Sequence, residues 1–169
     1  MLHTITPALA HVGCDANLLV RSVEAIGEHT FHSVFAIDGT HPYLYENPAI
    51  ANHVSGTTFI DMGRQVLKAI SHIFYNLPID SRFVLHGVDV EFLRWAKLGV
   101  DIDFTVTVEM SAARRADAPR TCRAALAWQQ EGHPVARARS SFTSFSAALE
   151  AKLMTRQYAQ APADRLLTG

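Results

Sequence analysis

Between Glu46 and Leu77 the chain carries its one long helical pattern, and that pattern limits what the rest can become. Phe59, Met62, Val66, Ala69, Ile70, Ile73 and Leu77 recur at steps of three or four, an apolar stripe down one side. Asp61, Arg64, Gln65, Lys68 and His72 form a polar stripe beside it. Thr58 is the expected N-cap, with Asp61 three residues on as an imperfect capping box. Pro78 is expected to end the helix. A helix of about five turns is ~30 Å long and needs a cover along its apolar side.

Nearly everything else reads as strand. His29–Ile37 alternates, and Asp38-Gly39 then marks a turn. His41–Ala51, with Pro42 and Pro48, is expected to be an irregular loop. Phe83–Leu93 is rich in β-formers. Val100–Met110 is the clearest strand: Val100, Ile102, Phe104, Val106, Val108 and Met110 alternate with Asp101, Asp103, Thr105, Thr107 and Glu109. Thr121–Gln130 and Val135–Phe145 form a hairpin turning on Glu131-Gly132-His133-Pro134. Residues 1–28 read as an arm, or as a short helix capped by Asp15 or Asn17 and running through Leu18, Leu19 and Val23. The tail from Ser146 starts as a helix and then frays.

A strand, a long helix and then about four antiparallel strands suit one curved sheet wrapped around one helix. That α+β layout is the hotdog fold, expected over 1–169 as a single domain with its core at about 29–145. An open antiparallel sheet leaves edges exposed, so a homodimer is expected.

With 49% hydrophobic and 18% charged residues, the 169-residue chain can build a core without metals or disulfides. A net charge of -1 gives no broad footprint for nucleic acid or an anionic membrane, and no apolar run is long enough to span a bilayer. The opening MLHTITPALAHVG lacks the basic flank and apolar core of a signal peptide, and Cys14 and Cys122 fit reduced thiols, so a cytoplasmic protein is expected. Of nine histidines, only His29-x-x-His32 is closely spaced, and on a strand those two face opposite ways. No metal is expected.

At Asn52-His53-Val54-Ser55-Gly56, then Asp61 and Arg64-Gln65, the sequence resembles the A-factor biosynthesis hotdog family. The family pattern is approximately Asp-His-Val-Pro-Gly, then Glu-Ala-x-Arg-Gln. His53, Val54, Gly56, Arg64 and Gln65 match it; Asn52, Ser55 and Asp61 replace the Asp, Pro and Glu. Upstream, His41-Pro42 and Pro48 resemble the family's loop, with Glu46 and Asn47 where Asp and His would stand. Val90–Lys97 resembles its Phe-rich, Arg-containing strand. Gly56, Asp61 and Gln65 also keep the spacing of hotdog acyl-carrier dehydratases, whose His would fall near Asn47.

The resemblance implies an acyltransferase. It would move a β-ketoacyl group from an acyl carrier protein to dihydroxyacetone phosphate or a similar hydroxylated acceptor. Family members of that type usually carry two hotdog repeats, which a homodimer of this chain would restore. No cofactor is expected beyond the phosphopantetheine arm of a carrier protein, or coenzyme A, as part of the substrate.

Such a transfer needs a proton acceptor for the hydroxyl and donors for the developing oxyanion. A helix N-terminus offers free N–H groups, so the thioester carbonyl is placed at the amides around Gly56, Thr57 and Thr58. Asp61 is the candidate base or orienting carboxylate, or else an acid that caps the helix. Gln65, one turn on, holds Asp61 or binds substrate. His53 is a second candidate base or a loop-positioning group. Arg64 pairs with Asp61, Asp89 or Glu91, or binds a phosphate. Asn47 and Asn52 are candidate substrate contacts; Asn47 can orient but not act as a base. Arg114 and Arg115, in a loop with Arg120 and Arg123 close by, are candidates to meet an acidic carrier protein. Hydrolysis or dehydration of a thioester, or non-catalytic acyl binding, are the other readings of the same frame.

Overall fold

The computed structural model describes residues 1–35, 53–112 and 118–160. In chain order the elements are β1 (Leu2–Thr4), α1 (Pro7–Ala10), a 3-10 turn (Asp15–Asn17), β2 (Ser22–Ala25) and β3 (Thr30–Phe35). The long helix α2 (Gly56–Ile73) follows, then β4 (Arg82–Phe92), β5 (Ile102–Met110), β6 (Arg120–Gln130), β7 (His133–Phe145) and α3 (Ala147–Gln160). The seven strands make one antiparallel sheet in the order β1-β2-β3-β5-β6-β7-β4. The sheet packs on α2, as the strand–helix–strand order requires.

Alternation decides which side of each strand meets the helix. On β5, Ile102, Phe104, Val106 and Val108 are buried while Asp103, Thr107 and Glu109 are not. On β6, Cys122, Ala124, Leu126 and Trp128 are buried in step. Phe104 stacks on Trp128 with ring centroids 4.7 Å apart, and Phe59 of α2 meets Trp128 edge-on at 5.6 Å. The β6–β7 turn is tighter than expected. Glu131 and Gly132 both have positive φ, 53° and 75°, as a two-residue primed turn needs. His133 and Pro134 already belong to β7. Pro134 sits where the β6–β7 register shifts and beyond the reach of β4 pairing, so its missing N–H breaks little.

Several expectations are corrected. Ser55, not Thr58, caps α2: its hydroxyl accepts from the Thr58 N–H at 3.4 Å and lies 2.9 Å from the Thr58 hydroxyl. Asp61 therefore lies beyond the first turn and caps nothing. The helix ends at Ile73, well before Pro78, because Asn76 turns left-handed (φ 52°) and Leu77 N–H reaches back to the Ser71 carbonyl. The N-terminal residues form an extended arm that joins the sheet, not the helix expected through Val23. Thr6 caps the four-residue α1, Asp15–Asn17 is a single turn, and β1 and β2 extend the sheet beyond β3. Leu18, Leu19, Val20 and Val23 are all buried there. The expected loop His41–Ala51 lies outside the described residues.

This arm covers part of the polar stripe of α2: Gln65 is 0% and His72 8% exposed, while Arg64 stays exposed. The sheet covers one side of α2, and the arm packs against the other. Among the described residues no helix is long and apolar enough to cross a membrane.

Candidate functional site

Helix capping sets the first feature of the site. The Thr58 N–H is taken by Ser55, while the Gly56 and Thr57 N–H groups have no acceptor among the described residues. Among the described residues, two unpartnered donors therefore stand at the positive end of α2. Thr57 is exposed; Thr58 is 1% exposed, its hydroxyl bonded to Ser55. Gly56 has ordinary helical backbone, and its use is steric. A Cβ there would meet the Phe92 ring at 2.9 Å. The close neighbour is thus the Phe92 side chain.

Asp61 is held in one orientation. Its Oδ1 accepts from Arg64 Nε at 2.6 Å and its Oδ2 from Gln65 Nε2 at 2.8 Å. Gln65 also donates to the Asn17 carbonyl at 2.9 Å, and its Oε1 accepts from the Leu19 N–H at 2.9 Å. With both N–H donors engaged and the side chain 0% exposed, Gln65 does not face either cavity; its place is behind Asp61. Arg64 pairs with Asp61, whereas Glu91 pairs with Arg137.

Two cavities flank this end of α2. The first is an apolar slot of about 170 Å³ between α2 and strands β4, β6 and β7, with Phe59, Leu67, Phe83, Leu126 and Trp128 in its walls. Arg64 and Lys68 are the charged residues that line it. The second, wider cavity of about 510 Å³ is lined by His53, Gly56, Phe92, Arg94 and Trp95. Phe59 is common to both. His53 bridges to Lys97 and meets the Trp95 ring edge-on at 4.2 Å. The structure thus brings His53 and Gly56 to one cavity. Asp61 and Gln65 line neither, and Arg64 connects Asp61 to the slot. Asn47, Asn52, Arg114 and Arg115 lie outside the described residues; Arg120 is drawn inward to the Tyr75 carbonyl at 3.1 Å. Sequence reading missed Arg94 and Trp95 as cavity walls, although Val90–Lys97 had drawn notice. Among the described residues no three His, Cys, Asp or Glu side chains converge as metal ligands would.

At the far end of the slot, His11 and His72 meet Nε2 to Nε2 at 2.9 Å, and both rings contact Phe83. His72 Nδ1 donates to the Leu77 carbonyl at 2.9 Å. A hydrogen bond between the two Nε2 atoms then needs His72 neutral and His11 as donor. Burial, then Lys68, His72, Arg82 and Arg64, pushes His11 down to about 4 from 6.5. Burial lowers His72 as well, against the Leu77 bond. Because the folded value lies below the unfolded one, the unfolded chain takes the proton first. Stability from this pair is complete above 6.5 and is lost as pH falls toward about 4. The melting temperature should therefore drop between about pH 7 and about pH 5. His11→Asn should flatten that part of the profile, read by circular dichroism; an unchanged slope contradicts the assignment.

A helix wrapped by one antiparallel sheet, with an apolar slot beside it, defines this as a hotdog-fold protein. The chain belongs to the A-factor biosynthesis hotdog domain family, whose model matches residues 1–146. Solved structures with the same fold include the dehydratase heterocomplex ApeI:P from Xenorhabdus doucetiae (TM-score 0.64, 13% identity, 90% of this chain and 97% of that one). A hot-dog-like protein from Thermanaerovibrio acidaminovorans gives a TM-score of 0.56 at 19% identity, over 76% of this chain and 90% of that one. Thioesterase superfamily member 2 of zebra fish gives 0.56 at 16% identity, over 81% and 91%. No curated protein sequence matches the chain significantly.

Proposed function

We propose that this protein passes an acyl chain, of β-ketoacyl type, from a carrier or coenzyme A thioester to a small hydroxylated acceptor such as dihydroxyacetone phosphate. One observation carries the reading: the Gly56 amide, which has no acceptor among the described residues, lies at a cavity that shares the Phe59 wall with the apolar slot, and the Thr57 amide follows it at the start of α2. A thioester carbonyl at those amides would send its chain past Phe59 into the slot. Its pantetheine arm would lie along Trp95, with Arg94 for the phosphate. Arg114 and Arg115 keep their proposed role toward an acidic carrier protein.

In the reaction the acceptor hydroxyl oxygen attacks the thioester carbon. The new C–O bond forms, the amides hold the oxyanion, and the C–S bond breaks to release the carrier thiol. Asp61, which lines neither cavity and reaches the slot through Arg64, takes the hydroxyl proton of an acceptor bound beside Arg64, and that proton leaves on the thiolate. Each Asp61 oxygen spends one lone pair on Arg64 or Gln65 and keeps another for this task. His53, at the other side of the Gly56 amide, orients the substrate in the shared cavity.

The protein is proposed to act in the cytoplasm as a homodimer joined along β4. Among the described residues that strand pairs only with β7, leaves its other edge open, and exposes Val84, Leu85, Val88 and Phe92. Light scattering should give twice the mass of one chain, and Val84→Lys with Leu85→Lys should give a single chain's mass. A double variant that stays dimeric places the interface elsewhere.

Incubation with a β-ketoacyl thioester, with and without dihydroxyacetone phosphate, tests the activity by product mass. Ester that forms only with acceptor supports transfer. Free acid in both samples favours hydrolysis, the second reading, which shares the same amides and replaces the acceptor by water. Unchanged thioester that co-elutes with the protein leaves it an acyl binder.

A further inference from the structure

The slot beside α2 has a feature that an apolar chain alone does not satisfy. Its walls are almost wholly hydrocarbon, yet the half-buried ammonium of Lys68 lines it. Arg64, the other charged lining residue, is committed to Asp61. Lys68 makes no ion pair or hydrogen bond with any described residue; its nearest companion is the Phe83 ring, with Nζ 5.7 Å from the centroid. Removing an unpaired ammonium from water is costly, and a single cation–π contact offsets little of that cost. Burial and the Arg64 charge accordingly lower the Lys68 proton affinity, with Asp61 opposing.

A second orphan donor lines the same slot. Trp128 is 1% exposed, and its indole Nε1–H has no acceptor among the described residues. Buried donors without acceptors are uncommon in folded chains and call for a missing partner. The neighbours at this end do not supply an acceptor charge. His11 and His72 are engaged with each other, and Arg82 is tied to Glu150 at 2.9 Å. Among the described residues, Lys68 is therefore the charged wall residue of this hydrocarbon slot that lacks an ion-pair partner.

We propose that the slot is a binding site for a chain-like carboxylate, an apolar tail ending in a single anion, and that Lys68 holds the anionic end. The tail lies against Phe59, Leu126 and Trp128, and the carboxylate oxygens supply the acceptors that Lys68 and the Trp128 N–H lack. A free phosphate fits poorly, since its hydration shell would be lost against hydrocarbon walls. At about 170 Å³ the slot suits a short to medium chain. This is the slot that the acyl-transfer reading fills with the acyl chain, so the carboxylate would compete for that space, but its binding requires no turnover and is tested without it.

Calorimetric titration with octanoate, octanol and acetate tests it on the full chain. Octanoate should bind at least about tenfold tighter than either octanol or acetate, the worth of one charge-assisted contact or of the buried tail. Lys68→Met should bring octanoate down to the level of octanol and leave octanol unchanged, while Lys68→Arg should keep the preference. Ser140→Phe, in the slot wall, should weaken both. Octanoate should also raise the pH midpoint of the His11 ring signal, because it adds a negative charge beside that ring. Equal affinity for octanoate and octanol overturns the proposal. So does a Lys68→Met protein that keeps the carboxylate preference, acetate binding as tightly as octanoate, or no binding at all.

Discussion

Replacing Asp61 by Asn is expected to lower acyl transfer about 100- to 10,000-fold, the usual worth of a positioned base. The substitution keeps shape and removes the charge and the proton-accepting capacity. It also sets up a local conflict. Asp61 accepts from two donors, Arg64 Nε and Gln65 Nε2, and an Asn offers only one accepting oxygen. Its amide N–H must face one of those donors. Gln65 cannot relieve this by flipping, because its oxygen is bound to the Leu19 N–H. A stability loss of about 1 kcal/mol should accompany the loss of rate. Steady-state kcat with the ester-forming assay, read beside a melting curve, separates the two effects. A folded Asp61→Asn protein with full activity removes Asp61 from the chemistry.

Gln65→Leu should be the most destabilising of the site substitutions. The side chain is 0% exposed and joins α2 to the arm through the Asn17 carbonyl and the Leu19 N–H, each at 2.9 Å. Leucine fills the space but leaves those buried groups and one Asp61 oxygen unpartnered. At about 1–3 kcal/mol for each buried group left without a partner, a loss of about 3 kcal/mol is expected. For a chain of this size that is about 10 °C in melting temperature. The loss should be uneven. Amide exchange in β1, β2 and the Asn17–Leu19 turn should speed up far more than in β5 and β6, because Gln65 pins the arm and not the central sheet. An unchanged melting temperature, or uniform exchange, would mean that other contacts hold the arm.

The central fold was legible because its signals are periodic. Residues 102–110 alternate cleanly, α2 carries a continuous apolar stripe, and Glu131-Gly132 names its own turn. The arm was not legible, for a physical reason. Leu18, Leu19 and Val20 are buried consecutively, so they show neither the helical nor the strand period. Their neighbour is the stripe of α2 that reads as solvated because Gln65 and His72 are polar. Polar side chains that meet backbone groups across a packed contact look, in sequence, like surface. For the candidate site, the Asp61–Arg64–Gln65 spacing was visible as one helical face, whereas the start of α2 was read too late, at Thr58 instead of Ser55. The slot was not, because its walls come from residues far apart on β4, β6 and β7. Lys68 stood in the sequence only as a member of the polar stripe, and packing reveals that it is half-buried beside Phe83.

The most direct measurement is a crystal structure with a non-reactive β-ketoacyl thioester analogue bound. The account predicts its carbonyl oxygen at roughly 3 Å from the Gly56 and Thr57 amides, with the chain beyond Phe59 in the slot. A carbonyl held away from the start of α2, with the chain outside the slot, would contradict it.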